Sequence, residues 1–351
     1  MAYSTISKPS LHFNTKLYTG NGGTQSITGV GFQPDWVWLK KRNSTADHGL
    51  YDAVRGVTKQ LYSNDTAAEA TNANSLTAFG TDGFSIGTSS MINGNSDTFA
   101  SWNWKANGAG SANTDGTINT TATSVNTTAG FSISKFTVPS GNGDQSIGHG
   151  LGVAPSMMIT KDLASGGWNV YHKSLNATAP EDYYLNLNTT SAAASDSPGV
   201  FGAGMTSSVA GIGVGVGVSP GNTYIAYCFA EKTGYSKFGK FVGNGSSDGS
   251  FVYTGFKPAW IMYKDISGTS DWYIMDTKRR TFNVTDVRLE ANNTDAEVTG
   301  AGDKIDILSN GFKFRHSSGS FNISGNNYIY MAFAEEPLVA NVGASIPATA
   351  R

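Results

Sequence analysis

Charge and cysteine are both scarce in this chain. Only 14% of its residues are Asp, Glu, Lys or Arg, too few for long charged helices or for a self-repelling disordered polymer. The single cysteine, Cys228, excludes an intrachain disulfide framework and any cysteine-based zinc site. Its expected role is that of a small apolar core residue. Nowhere does an apolar run reach the length of a membrane-spanning helix. The segment from Met1 to Phe13 is polar and lacks the apolar core of a signal peptide, so synthesis in the cytoplasm is expected. The formal net charge is -2, and basic residues gather only in Lys40-Lys41-Arg42 and Lys278-Arg279-Arg280, both read as solvated strand ends. The basic stripe of a nucleic-acid binder is missing.

Glycine (43 residues), Ser, Thr and Asn are plentiful, and aromatics make up 11% of the chain. That balance predicts many strands joined by tight turns, with enough large side chains to build cores. A chain of 351 residues exceeds one ordinary β domain and predicts several.

An internal repeat supplies the organisation. Residues 20–40 read GNGGTQSITGVGFQPDWVWLK, residues 141–161 read GNGDQSIGHGLGVAPSMMITK, and residues 243–264 read GNGSSDGSFVYTGFKPAWIMYK. From the first glycine to the proline (Pro34, Pro155, Pro258) is 14, 14 and 15 residues. A second signature closes each copy, TFASWNWKA at 98–106, TYIAYCFAE at 223–231 and NYIYMAFAE at 327–335. The proline lies 70, 74 and 75 residues before Trp104, Phe229 and Phe333, respectively. Two ordered signatures at near-constant separation define three diverged copies of one unit.

Both signatures have the physics of strands. After each proline, Trp36 and Trp38, Met157 and Ile159, and Trp260 and Met262 share one face at period 2, while Val37, Met158 and Ile261 make the other face apolar as well. Strands of this kind are central in a sheet or covered on both sides. Lys40, Lys161 and Lys264 are read as the exit to solvent. In the closing strand, Ala100/Trp102/Trp104, Ile225/Tyr227/Phe229 and Ile329/Met331/Phe333 form the core face, and the alternate positions a partly covered one. Gly83-Phe84-Ser85-Ile86 and Gly311-Phe312-Lys313-Phe314 are read as equivalent strands, with the alternating Gly/β-branched stretch 211–218 in their place in copy two. The Gly-Asn-Gly segments are read as hairpin turns.

The expected architecture is all-β, three tandem diverged β-sandwich domains of jelly-roll or lectin-like type. Copy one spans 1–105 with an N-terminal arm, copy two 131–234 and copy three 235–336. A low-charge linker, 106–130, is expected to be flexible or to thread as an extended edge and to set copy one apart. Copies two and three are expected to be rigidly apposed, and the tail 337–351 to be a docking extension.

No convergent catalytic constellation is legible. His12, His48, His149, His172 and His316 are not shared among the copies and form no metal-ligand spacing, so each is expected on a surface loop. Glu181-Asp182 and Glu335-Glu336 are adjacent pairs, unlike the separated carboxylates of a glycosidase. Glu231 and Glu335 are equivalent repeat positions. Asp144 and Asp248, one acid per turn, are too few for a calcium site. The chain is therefore expected to have no catalytic residues, no metal and no cofactor. The candidate binding residues are Trp168, Tyr171, Trp272 and Tyr273, aromatics among Gly, Ser and Asp that suit either receptor contact or the core face of the next strand, the core being favoured.

The opening FNTKLYTGNGGTQSITGVGFQPDWVWLKKR resembles a domain of unknown function widespread in structural and tail-fibre-like proteins of marine tailed phages, most closely over 13–105. Copies two and three keep the frame but replace Asp35 with Ser156 and Ala259. The resemblance implies a virion component, without catalytic residues to carry over and without a place on the particle. The expected role is a tail fibre or tail-associated appendage contacting the host surface. Capsid decoration, or a carbohydrate-binding or depolymerase role, are the alternatives. The expected partners are other virion proteins, a host glycan or protein receptor, and further copies of the chain, a trimer being the guess, with no nucleic acid and no membrane insertion.

Overall fold

The structure, a computed structural model, describes residues 4–140, 143–196, 199–213, 218–300, 302, 304–317 and 321–337. It is nearly all β, with 44% of residues in strands and 3% helical, arranged in several antiparallel sheets.

Each copy contributes four corresponding strands to an inner sheet. The opening strands are Phe13–Thr19, Phe131–Thr137 and Ser236–Val242, and the proline-led strands are Trp36–Lys41, Met157–Asp162 and Phe256–Asp265. The third strands are Gly49–Asp52, Trp168–His172 and Trp272–Asp276, and the closing strands are Thr98–Trp104, Thr223–Phe229 and Asn327–Pro337. In every copy the order across the sheet is opening, closing, proline-led, third. The proline-led and closing strands are thus interior, and both of their faces are apolar because one lies in the core shared by the copies and the other under an outer sheet. Pro34 and Pro155 precede their strands, and Pro258 sits at a register shift against the closing strand, both places where a missing N–H is tolerated.

Outside each inner sheet lies a small outer sheet. Gly83–Ile86 and Gly311–Phe314 are equivalent, Phe84 opposing Ile27 and Phe312 opposing Val252. In copy two, Val209–Ile212 holds this place, pairing Gln145–Gly148. Residues 214–217 of its Gly-alternating stretch lie outside the described residues.

The outward faces of the inner sheets pack on the outer sheets in three separate cores, one per copy. The inward faces pack on one another. A single central core takes side chains from all three copies, including all seven tryptophans of the chain, Trp36, Trp38, Trp102, Trp104, Trp168, Trp260 and Trp272. Phe13 stacks on Phe333, Trp36 on Tyr227, and Trp104 meets Trp260 edge-on.

Three expectations change, and a fourth resolves between its two forms. Copy one is not set apart, because its tryptophans lie in the shared core. Of the two forms expected of 106–130, part of the segment takes the extended edge, Ala122–Asn126 pairing antiparallel to the opening strand of copy two at the end of its sheet, while Ala106 and Gly108 donate their N–H groups to Asp35. The second face of the closing strand is fully covered, Phe99, Ser101 and Asn103 each being buried. Finally, Gly20-Asn21-Gly22 is no hairpin, because it carries the chain from inner to outer sheet. Buried Asn93 clamps it, accepting from Asn21 N–H and donating to Gly23 and Gly87 carbonyls, and Asn322 does the same around Asn244. A Cβ at Gly20 would stand 2.2 Å from the Gly94 carbonyl, and one at Gly243 2.2 Å from that of Ile323. Asn142 lies outside the described residues.

Candidate functional site: the seams between the copies

The sequence places polar side chains among the aromatics of the central faces, and the fold brings them to the three seams where one copy meets the next. Lys40, Lys161 and Lys264 end the proline-led strands on the central face. They do not reach solvent, each being about 1% exposed or less. Lys40 donates to the Thr294 carbonyl of copy three at 3.0 Å, Lys161 to that of Thr66 in copy one at 3.4 Å, and Lys264 to that of Thr190 in copy two at 3.3 Å. Burial pulls all three ammonium groups down to a pKa of about 8.

Opposite each lysine stands the first residue of the third-strand segment, His48, Trp168 or Trp272. Its ring nitrogen reaches the next copy's main chain. His48 Nε2 lies 2.9 Å from the Glu290 carbonyl, Trp168 Nε1 2.7 Å from that of Tyr62, and Trp272 Nε1 3.0 Å from that of Asn186. Trp38 Nε1–H donates to His48 Nδ1, which leaves the proton on Nε2 to donate across the seam. Each copy presents the receiving segment as the same sequence pattern, Leu61-Tyr-Ser-Asn64-Asp-Thr66, Leu185-Asn-Leu-Asn188-Thr-Thr190 and Leu289-Glu-Ala-Asn292-Asn-Thr294. The Asn side chain accepts the backbone N–H of its own copy's His48, Trp168 or Trp272. The Tyr62, Asn186 and Glu290 carbonyls accept from the neighbour's ring. Read around the molecule, copy one binds three, three binds two, and two binds one, which is a closed cyclic arrangement.

A second layer follows the same rotation. Tyr227 of copy two donates its hydroxyl to Asp52 of copy one at 2.7 Å, and Trp102 of copy one donates Nε1–H to Asp276 of copy three at 3.0 Å. Both carboxylates form fully buried ion pairs three residues on, with Arg55 and Arg279. Burial disfavours the Asp276 anion, but Arg279 outweighs it and holds the carboxyl below its usual range. At the third seam Met331 stands where Trp102 and Tyr227 stand, and it has no proton to donate. His172 replaces the Asp and Leu175 the Arg. His172 accepts the Ser174 N–H on Nδ1 and donates from Nε2 to the Tyr330 carbonyl, and burial lowers its pKa to about 3. The loss of a donor on one copy thus goes with the loss of the charged pair on its neighbour.

The four candidate binding aromatics are all buried, as the favoured core reading has them. Trp168 and Trp272 are seam residues, while Tyr171 and Tyr273 pack into the outer cores of copies two and three. Three histidines assigned to surface loops, His48, His149 and His172, are buried, and burial lowers each pKa. The basic triplets are not simple solvated ends either, since Lys40 and Arg279 are enclosed. Glu231 pairs with Lys173 and Lys237, Glu335 with Lys257, and Asp248 with Lys313 and Arg315. Among the described residues no group of three His, Cys, Asp or Glu side chains is placed to hold a metal ion. The Leu-x-x-Asn-x-Thr pattern, present three times, was the overlooked signal for the seams.

Fold and seams together define an all-β protein made by internal triplication and closed on one core. The chain belongs to a family described as a domain of unknown function (DUF7483), whose model matches residues 8–337 and so spans all three copies. No curated protein is significantly similar to it.

Proposed function

We propose that the protein is a non-enzymatic structural component of a tailed-phage virion, a tail fibre or tail-associated appendage that contacts the host surface. The observation that carries the structural half of this reading is the seam network. The groups that acid–base or nucleophilic chemistry would need, His48, His172, Asp52, Asp276 and the three lysines, are engaged in holding one copy against the next. The virion half rests on the resemblance of residues 13–105 to structural proteins of marine tailed phages. Within it, each copy is a β-sandwich of jelly-roll or lectin-like type fused to its neighbours through its inner sheet. A trimer would have to form through outer surfaces or ends, since the aromatic faces already meet within one chain. Light scattering on the purified chain measures that directly. Labelled antibody on intact particles tests the reading: label on the tail supports it, label on the capsid favours a decorating protein, and particles free of the chain overturn both.

One observation favours a second reading, carbohydrate binding. Phe251 and Tyr253 are 46% and 53% exposed on the outer sheet of copy three, beside the Lys313–Asp248 ion pair. An open apolar ring pair flanked by hydrogen-bonding groups suits a sugar face. A glycan array with Phe251→Ala/Tyr253→Ala as control separates this reading from the first, and release of oligosaccharide from host envelope would establish a depolymerase.

A further inference from the structure

We propose that the seam between copies one and three holds a saccharide-binding cleft, built on Thr15 of the opening strand of copy one and Lys278 just past the third strand of copy three. Two contiguous clefts, of about 180 and 320 Å³, share Asn14, Thr15 and Lys278 as walls. Together they reach the size at which ligand sites begin. They lie on the central side of the inner sheets, whereas Phe251 and Tyr253 belong to the outer sheet of copy three.

Comparison of all three copies shows why the core opens here. Thr15 shares a strand face with Phe13 and Leu17, which pack on the central core, and it stands opposite Trp102 in the sheet. In the same register Ile133 stands opposite Tyr227 and Phe238 opposite Met331. Both of those side chains are buried in the central core. Two copies therefore fill this position with a large apolar residue, and copy one has a small polar one. Thr15 is 6% exposed, and its hydroxyl has no hydrogen-bond partner among the described residues although the residue lines both clefts. A buried hydroxyl in that state calls for a partner from whatever enters the cleft. Lys278 departs from the pattern as well. It follows Asp276 by two residues, a place taken in copy one by Val54, which packs on the central core, and in copy two by Ser174.

The walls select the chemistry of the ligand. Glu335, which is paired with Lys257, and Glu336 line the first cleft, Lys16 lines the second, and Lys278 borders both. Asn14 donates its amide N–H to the Val30 carbonyl at 2.9 Å, which leaves its oxygen as an acceptor. A simple anion would meet the glutamates and a simple cation the lysines. A hydroxyl donates and accepts at once, so neighbouring hydroxyls of one sugar ring can bridge carboxylate, threonine and ammonium. Phe13, Ala259 and Leu17 supply apolar wall for the C–H face of such a ring.

Saturation-transfer NMR on the full chain tests this, with methyl glucoside, N-acetylglucosamine and glucuronic acid as probes, each titrated to about 10 mM. At least one is expected to bind, with a dissociation constant on the order of 1 mM. Thr15→Ile gives copy one the side chain that copy two carries at this place. It is expected to weaken binding about tenfold or more without lowering the melting temperature. Lys278→Ala, at an exposed side chain, decides the matter if Thr15→Ile does not fold, and is expected to weaken binding about threefold or more. Phe251→Ala/Tyr253→Ala leaves this binding unchanged. Failure of every probe to bind overturns the proposal. So does binding that neither Thr15→Ile nor Lys278→Ala weakens, which would place the sugar elsewhere on the chain. Neither result depends on where antibody labels the virion, so the cleft and the virion reading stand or fall separately.

Discussion

At the scale of single residues, the molecule encloses charge where one copy touches another, and that has measurable costs. Removing one member of a buried ion pair leaves the other desolvated and unpaired, so Asp52→Ala is expected to lose about 3–5 kcal/mol in denaturant unfolding. The chain itself shows the uncharged alternative at its third seam, where His172, Leu175 and Met331 stand in these places. The triple change Asp52→His/Arg55→Leu/Tyr227→Met copies that seam and is expected to lose less than the single change. A triple variant weaker than Asp52→Ala would show that the seams are not interchangeable. Titration follows from the same burial. Buried His172 stays neutral to a pKa of about 3, whereas the unfolded chain takes up that proton near pH 6.5. The unfolded state thus binds more protons below pH 6.5, and stability falls as pH falls, by about 2–3 kcal/mol at pH 4.5 from this residue alone. His172→Gln should flatten the stability profile over that interval. The three lysines act at the other end. Their folded pKa of about 8 lies below the unfolded value, so the unfolded state holds more protons above pH 8 and stability rises from there towards pH 9.5. Beyond about pH 10 the buried tyrosines, such as Tyr227, whose pKa burial raises, reverse the trend.

At the scale of strands and loops, period-2 patterning marked the proline-led and closing strands and their central faces correctly, because alternation survives wherever one side of a sheet is uniformly apolar. Trp38→Ala is expected to cost about 3–5 kcal/mol through the cavity it leaves, with loss of the bond to His48 adding to it. The same patterning misplaced Lys40, Lys161 and Lys264. A lysine at a strand end normally reads as solvent, and here main-chain carbonyls of its own copy together with the neighbouring copy's Thr carbonyl make its burial tolerable. The seam loops were invisible to a search for strand periodicity, since Leu-x-x-Asn-x-Thr has none, yet the pattern stood in the sequence three times. Gly-Asn-Gly misled in the opposite sense, because a dipeptide common in hairpins here serves a crossing between sheets. Gly20→Ala tests that reading. Its Cβ would meet backbone rather than a movable side chain, so a loss of about 1–3 kcal/mol is expected.

For the whole molecule, the triplication was plain in the sequence but its meaning was not. Tandem repeats with a long linker suggest separate domains, and nothing in one copy's sequence says that its aromatic face waits for two others. Large apolar faces on three sheets are the clue, since each would be left exposed in an isolated copy. One shared core holding every tryptophan makes the three copies a single cooperative unit, in which no copy is stable without its neighbours. Calorimetry of the full chain tests this most directly. One transition is expected, with the calorimetric enthalpy equal to the van't Hoff enthalpy. Two or three resolved transitions, or a van't Hoff enthalpy well below the calorimetric one, would contradict it.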